Sequence, residues 1–311
     1  MLNSNRLHIS PLTLGTVALG MEYGISNIEG KPGNDKAIEI IKKAVDLGVN
    51  TFDTARHYGD AEKIIGSYCR QENDHTASIV TKFRISNENL DDPEAARREV
   101  YESVKKSLDE LNPARISIAL FHKRPGQPLD KILKILPPIL QSLQTDGLIG
   151  RGGFSVFHPS EVEFCIPFKE IEVIQAPVNI LDQRLAQRDV LSSLIEHGKI
   201  VFARSIFLQG LIFLDCDKLS SELAEAGKYI RLLKDLADKA GMSVAQLAFS
   251  FVRDLPGITS IIFGAVNTMQ VQDNAQLYHS PALPGHIREA IENTFRNVPE
   301  KIITPALWNA Q

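Results

Sequence analysis

Cysteine is scarce in this chain and unpaired: Cys69, Cys165 and Cys216 are the three present, and none forms a CxxC motif. An odd, sparse set leaves no disulfide framework, fits a reducing compartment, and makes no case for a thiolate zinc site or any other metal. A basic surplus is missing too. Lys and Arg number 34 against 38 Asp and Glu, a formal net charge of −4, whereas a nucleic-acid backbone binder carries basic excess. No stretch approaches the roughly 18 uncharged apolar residues that read as a membrane span. The first ten residues lack the cationic, apolar, small-residue order of a secretory signal. These absences predict a cytoplasmic protein with neither a membrane nor a nucleic acid as partner. What is present is 43% hydrophobic residues over 311 positions, enough for one large core, and no low-complexity linker divides the chain. Residues 1–311 are read as a single domain.

Apolar strands alternate with helix-sized segments eight times. Strands are predicted at 12–19, 49–54, 78–83, 116–122, 149–156, 172–179, 199–206 and 258–264. Helices are predicted at 36–47, from near Asp60, and at 93–111, 129–145, 159–165, 188–197, 219–240, 244–253 and 284–295. Several strands are continuous apolar runs, as expected where both faces of a parallel sheet are covered. Eight βα units favour a closed (β/α)₈ TIM barrel over an open doubly wound sheet. The long gap between strands seven and eight holds one barrel helix and one extra helix, the second capped by Ser243. The helix at 284–295 is placed outside the barrel, and the tail from Asn297 is read as irregular and folding across the rim.

Barrel active sites gather at the C-terminal strand ends. Asp53, Lys82, His122 and Ser155 fall at or near the ends of strands two to five. Gln175 and Asn179 accompany strand six, and Arg204 and Ser205 strand seven. Tyr58 follows Asp53 by five residues in FDTARHYGDAE. A phenol is a poor acid near neutrality, with a reference pKa of about 10, but an adjacent ammonium favours the phenolate and a carboxylate can hold that ammonium. Asp53, Tyr58 and Lys82 therefore form a chemically sensible set, and His122 could orient a carbonyl or share the proton. Each has a plainer use as a cap, packing residue, ion-pair partner or solvated group. The run His122, Lys123, Arg124 reads more simply as a solvated rim than as a lure for anions. The glycines of IGRGGFS lack GxGxxG spacing and suit close packing. Phe207, Leu208 and Phe213 serve equally well as a cofactor cover or as barrel packing.

LTLGT at the start, FDTARHYGDAEKIIG, TKF and LFH together resemble the aldo-keto reductase family over nearly the full length. The resemblance implies a (β/α)₈ enzyme, a monomer or weak homo-oligomer. It would reduce an aldehyde, ketone or sugar-like carbonyl with NADPH or NADH and no metal, and could also run in reverse. It implies Tyr58 as proton donor, Lys82 tuning it, Asp53 supporting Lys82 and His122 orienting the carbonyl. For the cofactor it points to Gly15, Thr16, Asp53, Ser155, Gln175, Arg204, Ser205, Phe207, Gly264, Gln270, Asp273 and Asn274. Several of these depart from the family pattern. Val156 replaces the asparagine that follows Ser155. Arg204 stands where an aromatic usually stacks on the nicotinamide, although a guanidinium also stacks on planar rings. Gly264 and Gln270 stand where NADPH-preferring members carry Lys and Arg. Two other functions fit the same residues: a non-redox isomerase or lyase using Lys82 as a Schiff base, and a nicotinamide-binding regulatory subunit without turnover.

Overall fold

The computed structural model describes residues 7–74, 76–113, 115–186 and 189–308. Eight strands, β1 (Leu12–Gly15), β2 (Thr51–Asp53), β3 (Ser78–Phe83), β4 (Ile116–His122), β5 (Ile149–Ser155), β6 (Val173–Pro177), β7 (Ile200–Arg204) and β8 (Ser260–Gly264), follow one another around a closed barrel. Every neighbouring pair is parallel, and β8 closes onto β1. The helices in chain order are α1 (Val17–Gly20), α2 (Asn34–Asp46), α3 (Ala61–Glu72), α4 (Pro93–Leu111), α5 (Leu129–Thr145), α6 (Val162–Cys165), α7 (Val190–Glu196), α8 (Ala226–Ala240), α9 (Val244–Arg253), α10 (Thr268–Tyr278), α11 (Gly285–Thr294) and α12 (Glu300–Ile303).

Strand side chains alternate between the barrel interior and the helix layer. Val80, Ile118, Leu120, Val173, Phe202 and Ile262 fill the interior as a cluster of their own. The register carries their facing upward, since Leu120 pairs with Lys82 and Gly153, and His122 with Ser155, which pairs in turn with Gln175. Period two thus sends Asp53, Lys82, His122, Ser155, Gln175 and Arg204 inward near the C-terminal rim. Gly153 has no room for a side chain, because a Cβ there would lie 2.2 Å from the Val173 carbonyl and 2.6 Å from Leu120. This is the close packing expected of IGRGGFS.

Some boundaries differ from the sequence reading. β1 ends at Gly15 rather than running to residue 19, because both the backbone N–H and the hydroxyl of Thr16 bond to the Asp53 carbonyl and turn the chain into α1. Residues 219–225 are not helical from the start; a 3₁₀ turn (Ser221–Leu223) precedes α8. After β5 a 3₁₀ turn and the single turn α6 replace one continuous helix. Residue 188, the expected start of the helix before β7, lies outside the described residues; α7 runs Val190–Glu196. α10 is a helix that the periodicity does not announce, because it buries only the narrow stripe Val271, Asn274 and Ala275. α9 begins with a reciprocal cap between Ser243 and Gln246. The tail is less irregular than expected: it forms α12, and Ile303 to Ala306 edge the opening at the top of the barrel. Among the described residues no helix is long and apolar enough to cross a membrane.

Candidate active site

A cavity of about 750 Å³ opens at the C-terminal ends of the strands. Beneath it lies a buried ion pair. The Lys82 Nζ donates to both Asp53 oxygens, at 2.8 and 2.7 Å, and to the Thr54 carbonyl at 2.9 Å, so its three protons are all engaged. Gln175 Nε2 donates to Asp53 Oδ1 at 2.7 Å, and Ser155 donates to Gln175 Oε1 at 3.2 Å. One continuous network therefore spans β2, β3, β5 and β6. The ammonium stands 4.8 Å from the centre of the Tyr58 ring. Tyr58 in turn packs edge to face on His122, ring centres 6.2 Å apart.

The loop carrying Tyr58 is fixed by close backbone contact. Gly59 has a φ of +56°, a left-handed conformation that glycine adopts without strain. Asp60 N–H donates to the Gly20 carbonyl at 3.2 Å, and a Cβ on Gly20 would fall 1.8 Å from the Tyr58 carbonyl. Glycine at position 20 is thus a condition for the observed Tyr58 position.

His122 faces the cavity with its Nδ1 buried and, among the described residues, without a hydrogen-bond partner. Burial, then the cationic Lys82, Arg84 and Arg204, drive its pKa down to about 2, so the ring is neutral across the physiological range. Lys123 does not belong to a solvated rim: it is buried and paired with Glu161 at 2.9 Å. The rim reading fails there because Glu161, in the turn after β5, reaches the Lys123 ammonium and keeps it from solvent.

The expected cofactor residues divide. Gly15, Asp53, Gln175, Arg204, Ser205, Phe207, Gly264, Gln270, Asp273 and Asn274 all border the cavity. Thr16 and Ser155 are buried and do not, their hydroxyls taken by the Asp53 carbonyl and Gln175. Asn179 serves a turn, accepting from Leu181 and Asp182 N–H. Arg204 bridges strand ends by donating to the Val156 carbonyl (3.0 Å) and Ser205 Oγ (3.1 Å). Of the three apolar residues after β7, Phe207 and Phe213 pack beside the cavity as a tilted ring pair with centres 5.1 Å apart, while Leu208 is buried in the core. Gln270 caps the turn above β8 through Val266 N–H. Two observations suit a dinucleotide here. Among the described residues Asn274 Oδ1 is a buried acceptor lacking a donor, and the backbone at Gly264 is open, with nothing within 4 Å of where a Cβ would be. Among the described residues no cluster of three His, Cys, Asp or Glu is placed to hold a metal ion.

Arg84, Arg124, Tyr23 and the tail residues Ile303–Ala306 also line the cavity. Arg124 belongs to the run weighed above as a lure for anions, whereas the sequence reading does not single out Arg84. For Arg84 the signal was period two: it lies two residues beyond Lys82, one past the end of β3.

Comparison with known proteins agrees with this architecture. The sequence profile described as "Aldo/keto reductase family" matches residues 11–289. An oxidoreductase of Bacillus subtilis, YqkF, is 25% identical, covering 95% of this chain and 98% of its own. L-glyceraldehyde 3-phosphate reductase of Escherichia coli is 23% identical over 86% of this chain and 85% of its own. The holo form of the aldo-keto reductase AKR11C1 from Bacillus halodurans superposes with a TM-score of 0.75 at 21% identity, covering 97% of both chains. The chain therefore belongs to the aldo/keto reductase family and is an NAD(P)-dependent oxidoreductase.

Proposed function

We propose that the chain reduces an aldehyde or ketone, with Tyr58 delivering the proton to the carbonyl oxygen. The observation that carries this reading is the Lys82 ammonium, buried, held by three acceptors and 4.8 Å from the Tyr58 ring. A fixed positive charge stabilises negative charge left on the phenol oxygen as its proton departs, without reorganisation during the reaction. Asp53 positions that charge, and Gln175 positions Asp53. His122, held neutral, has a buried Nδ1 in need of a partner; a neutral imidazole can orient the carbonyl without competing for the proton.

A reduced nicotinamide would supply the hydride. Gln175 keeps a second N–H and a second lone pair beyond its bonds to Asp53 and Ser155, and these suit a carboxamide. Arg204 offers a planar guanidinium, a better neighbour for a neutral reduced ring than for a cationic oxidised one. Gly264 and Ala265 suit the pyrophosphate, and Asp273 and Asn274 the adenine. No Lys or Arg lines the cavity between Gly264 and Leu277, so NADPH and NADH are bound with little discrimination. Small aldehydes, ketones and sugar-like carbonyls are the substrate range, in keeping with the triose substrate named for the E. coli relative. A Schiff-base role for Lys82 is disfavoured, since its side chain is fully buried with every N–H engaged.

The test is a reduction screen on wild type and Tyr58→Phe with both nucleotides. Turnover should fall by about 10²- to 10⁴-fold, the usual worth of general acid catalysis, with nucleotide affinity unchanged. Turnover of the variant within a few-fold of wild type refutes the assignment.

A further inference from the structure

The cations around the cavity differ in one respect. Lys123 is paired with Glu161, Arg184 with Asp182 and Glu300, and Arg204 is satisfied by the Val156 carbonyl and Ser205. Arg84 and Arg124 have no carboxylate or hydrogen-bond acceptor for their guanidinium groups among the described residues, and the Arg84 Nε is buried without a partner. Burying such a group unpaired is costly unless something else supplies the acceptor.

Their position follows from the barrel. Arg84 lies one residue past the Phe83–Phe121 pair, beside His122, and Arg124 lies two residues past His122. Period two turns Arg84 to the same side as Lys82, and both guanidinium groups border the cavity with Tyr58 and His122. They stand at the ends of β3 and β4, whereas the residues assigned to the nicotinamide, Gln175 and Arg204, stand at the ends of β6 and β7. Burial disfavours the charge of Arg84, and the like charge of Arg124 is close enough to add to that. The nearby cation Arg56 is occupied by Glu62 and Glu110. The acids bordering the cavity do not answer the pair: Asp53 is bound to Lys82 and Glu29 to Lys36 and Asn267, while Asp273 lies on the opposite wall in α10.

We propose that Arg84 and Arg124 form a seat for an anionic group, phosphate or carboxylate, on the substrate. This rests on the carbonyl-reductase reading and narrows it: the preferred substrate is a short carbonyl compound with its anion a few atoms from the reacting carbon. The carbonyl oxygen lies toward Tyr58 and His122, and the anion toward the β3 and β4 loops. A guanidinium suits either anion through paired N–H donors.

The experiment compares kcat/KM for two matched pairs, glyceraldehyde 3-phosphate against glyceraldehyde and succinic semialdehyde against butanal, in wild type, Arg84→Met and Arg124→Met. The wild type should favour the charged member of at least one pair by tenfold or more, and the pair that shows it identifies phosphate or carboxylate. A charge-assisted contact is worth about ten- to a hundredfold. Each variant should lose about that much of the charged-to-neutral ratio, through KM rather than kcat, and raised salt should shrink the wild-type ratio. Equal ratios in all three proteins overturn the seat and leave the reductase reading standing. If no carbonyl is reduced, the reductase reading falls, and calorimetric titration with inorganic phosphate and with succinate decides the seat. Saturable binding lost in both variants supports it; absence of binding to wild type overturns it.

Discussion

The Asp53–Lys82 pair allows stability and catalysis to be separated. Lys82→Met removes the ammonium but leaves the Asp53 carboxylate buried, with Gln175 as its remaining side-chain donor. Breaking a buried pair by removing one member costs about 3–5 kcal/mol, because the remaining charge is uncompensated. Unfolding entropy near the melting point is about 2.1 cal/mol/K per residue, so for 311 residues that loss lowers Tm by about 5–8 °C. The double variant Asp53→Asn, Lys82→Met carries no orphaned charge, and the amide oxygen that replaces the carboxylate can still accept from Gln175. It should regain most of the lost Tm, since neutral replacement of a buried pair is often close to neutral in stability. Turnover should not return. Without the charge 4.8 Å from the Tyr58 ring, both variants should remain at least about 10²-fold below wild type. Circular dichroism melts and single-turnover cofactor fluorescence measure the two quantities on the same samples. A double variant that regains activity together with stability would falsify the catalytic role of the charge and leave Lys82 a purely structural partner.

Three further outcomes are expected. Gly20→Ala, whose new Cβ would meet the Tyr58 carbonyl at 1.8 Å, should cost about 1–3 kcal/mol as overpacking does and lower kcat more than it raises KM; unchanged melting and kcat would mean that the loop has slack. His122 has a folded pKa of about 2 against an ordinary 6.5, so the unfolded chain binds the extra proton. Its contribution to stability is fully present above pH 6.5 and is lost as pH falls toward 2, at up to about 1.4 kcal/mol per pH unit. Urea titrations at pH 7.0, 5.5 and 4.5 should therefore show His122→Phe losing less stability than wild type, and parallel losses would contradict this. Gln270→Arg should raise NADPH affinity about tenfold or more while leaving NADH affinity nearly fixed, as read by fluorescence titration. A wild-type preference for NADPH above about a hundredfold would send the search to another basic residue.

The sequence by itself determined the barrel and the ranks of its strands. Continuous apolar runs such as those of β3 and β4 read as buried parallel strands because both faces are covered, and the bounds of β3, β4, α4, α5 and α9 follow from periodicity and caps. It also placed Asp53, Lys82 and His122 at successive strand ends, since strand rank and strand end are local properties. Other features depended on distant partners. β1 stops at Gly15 because Thr16 meets the Asp53 carbonyl, a contact between residues 37 apart. α10 is nearly polar all round, and only its packing on α2 and α9 reveals it as a helix. The local charge run around His122 could not show which cations find acids. Lys123 finds Glu161 in the turn before α6, whereas Arg84 and Arg124, just beyond the ends of two different strands, are left facing one cavity. Pairing of charges is decided by distance in space, and one-dimensional spacing carries that information only within a helix turn or along a strand face.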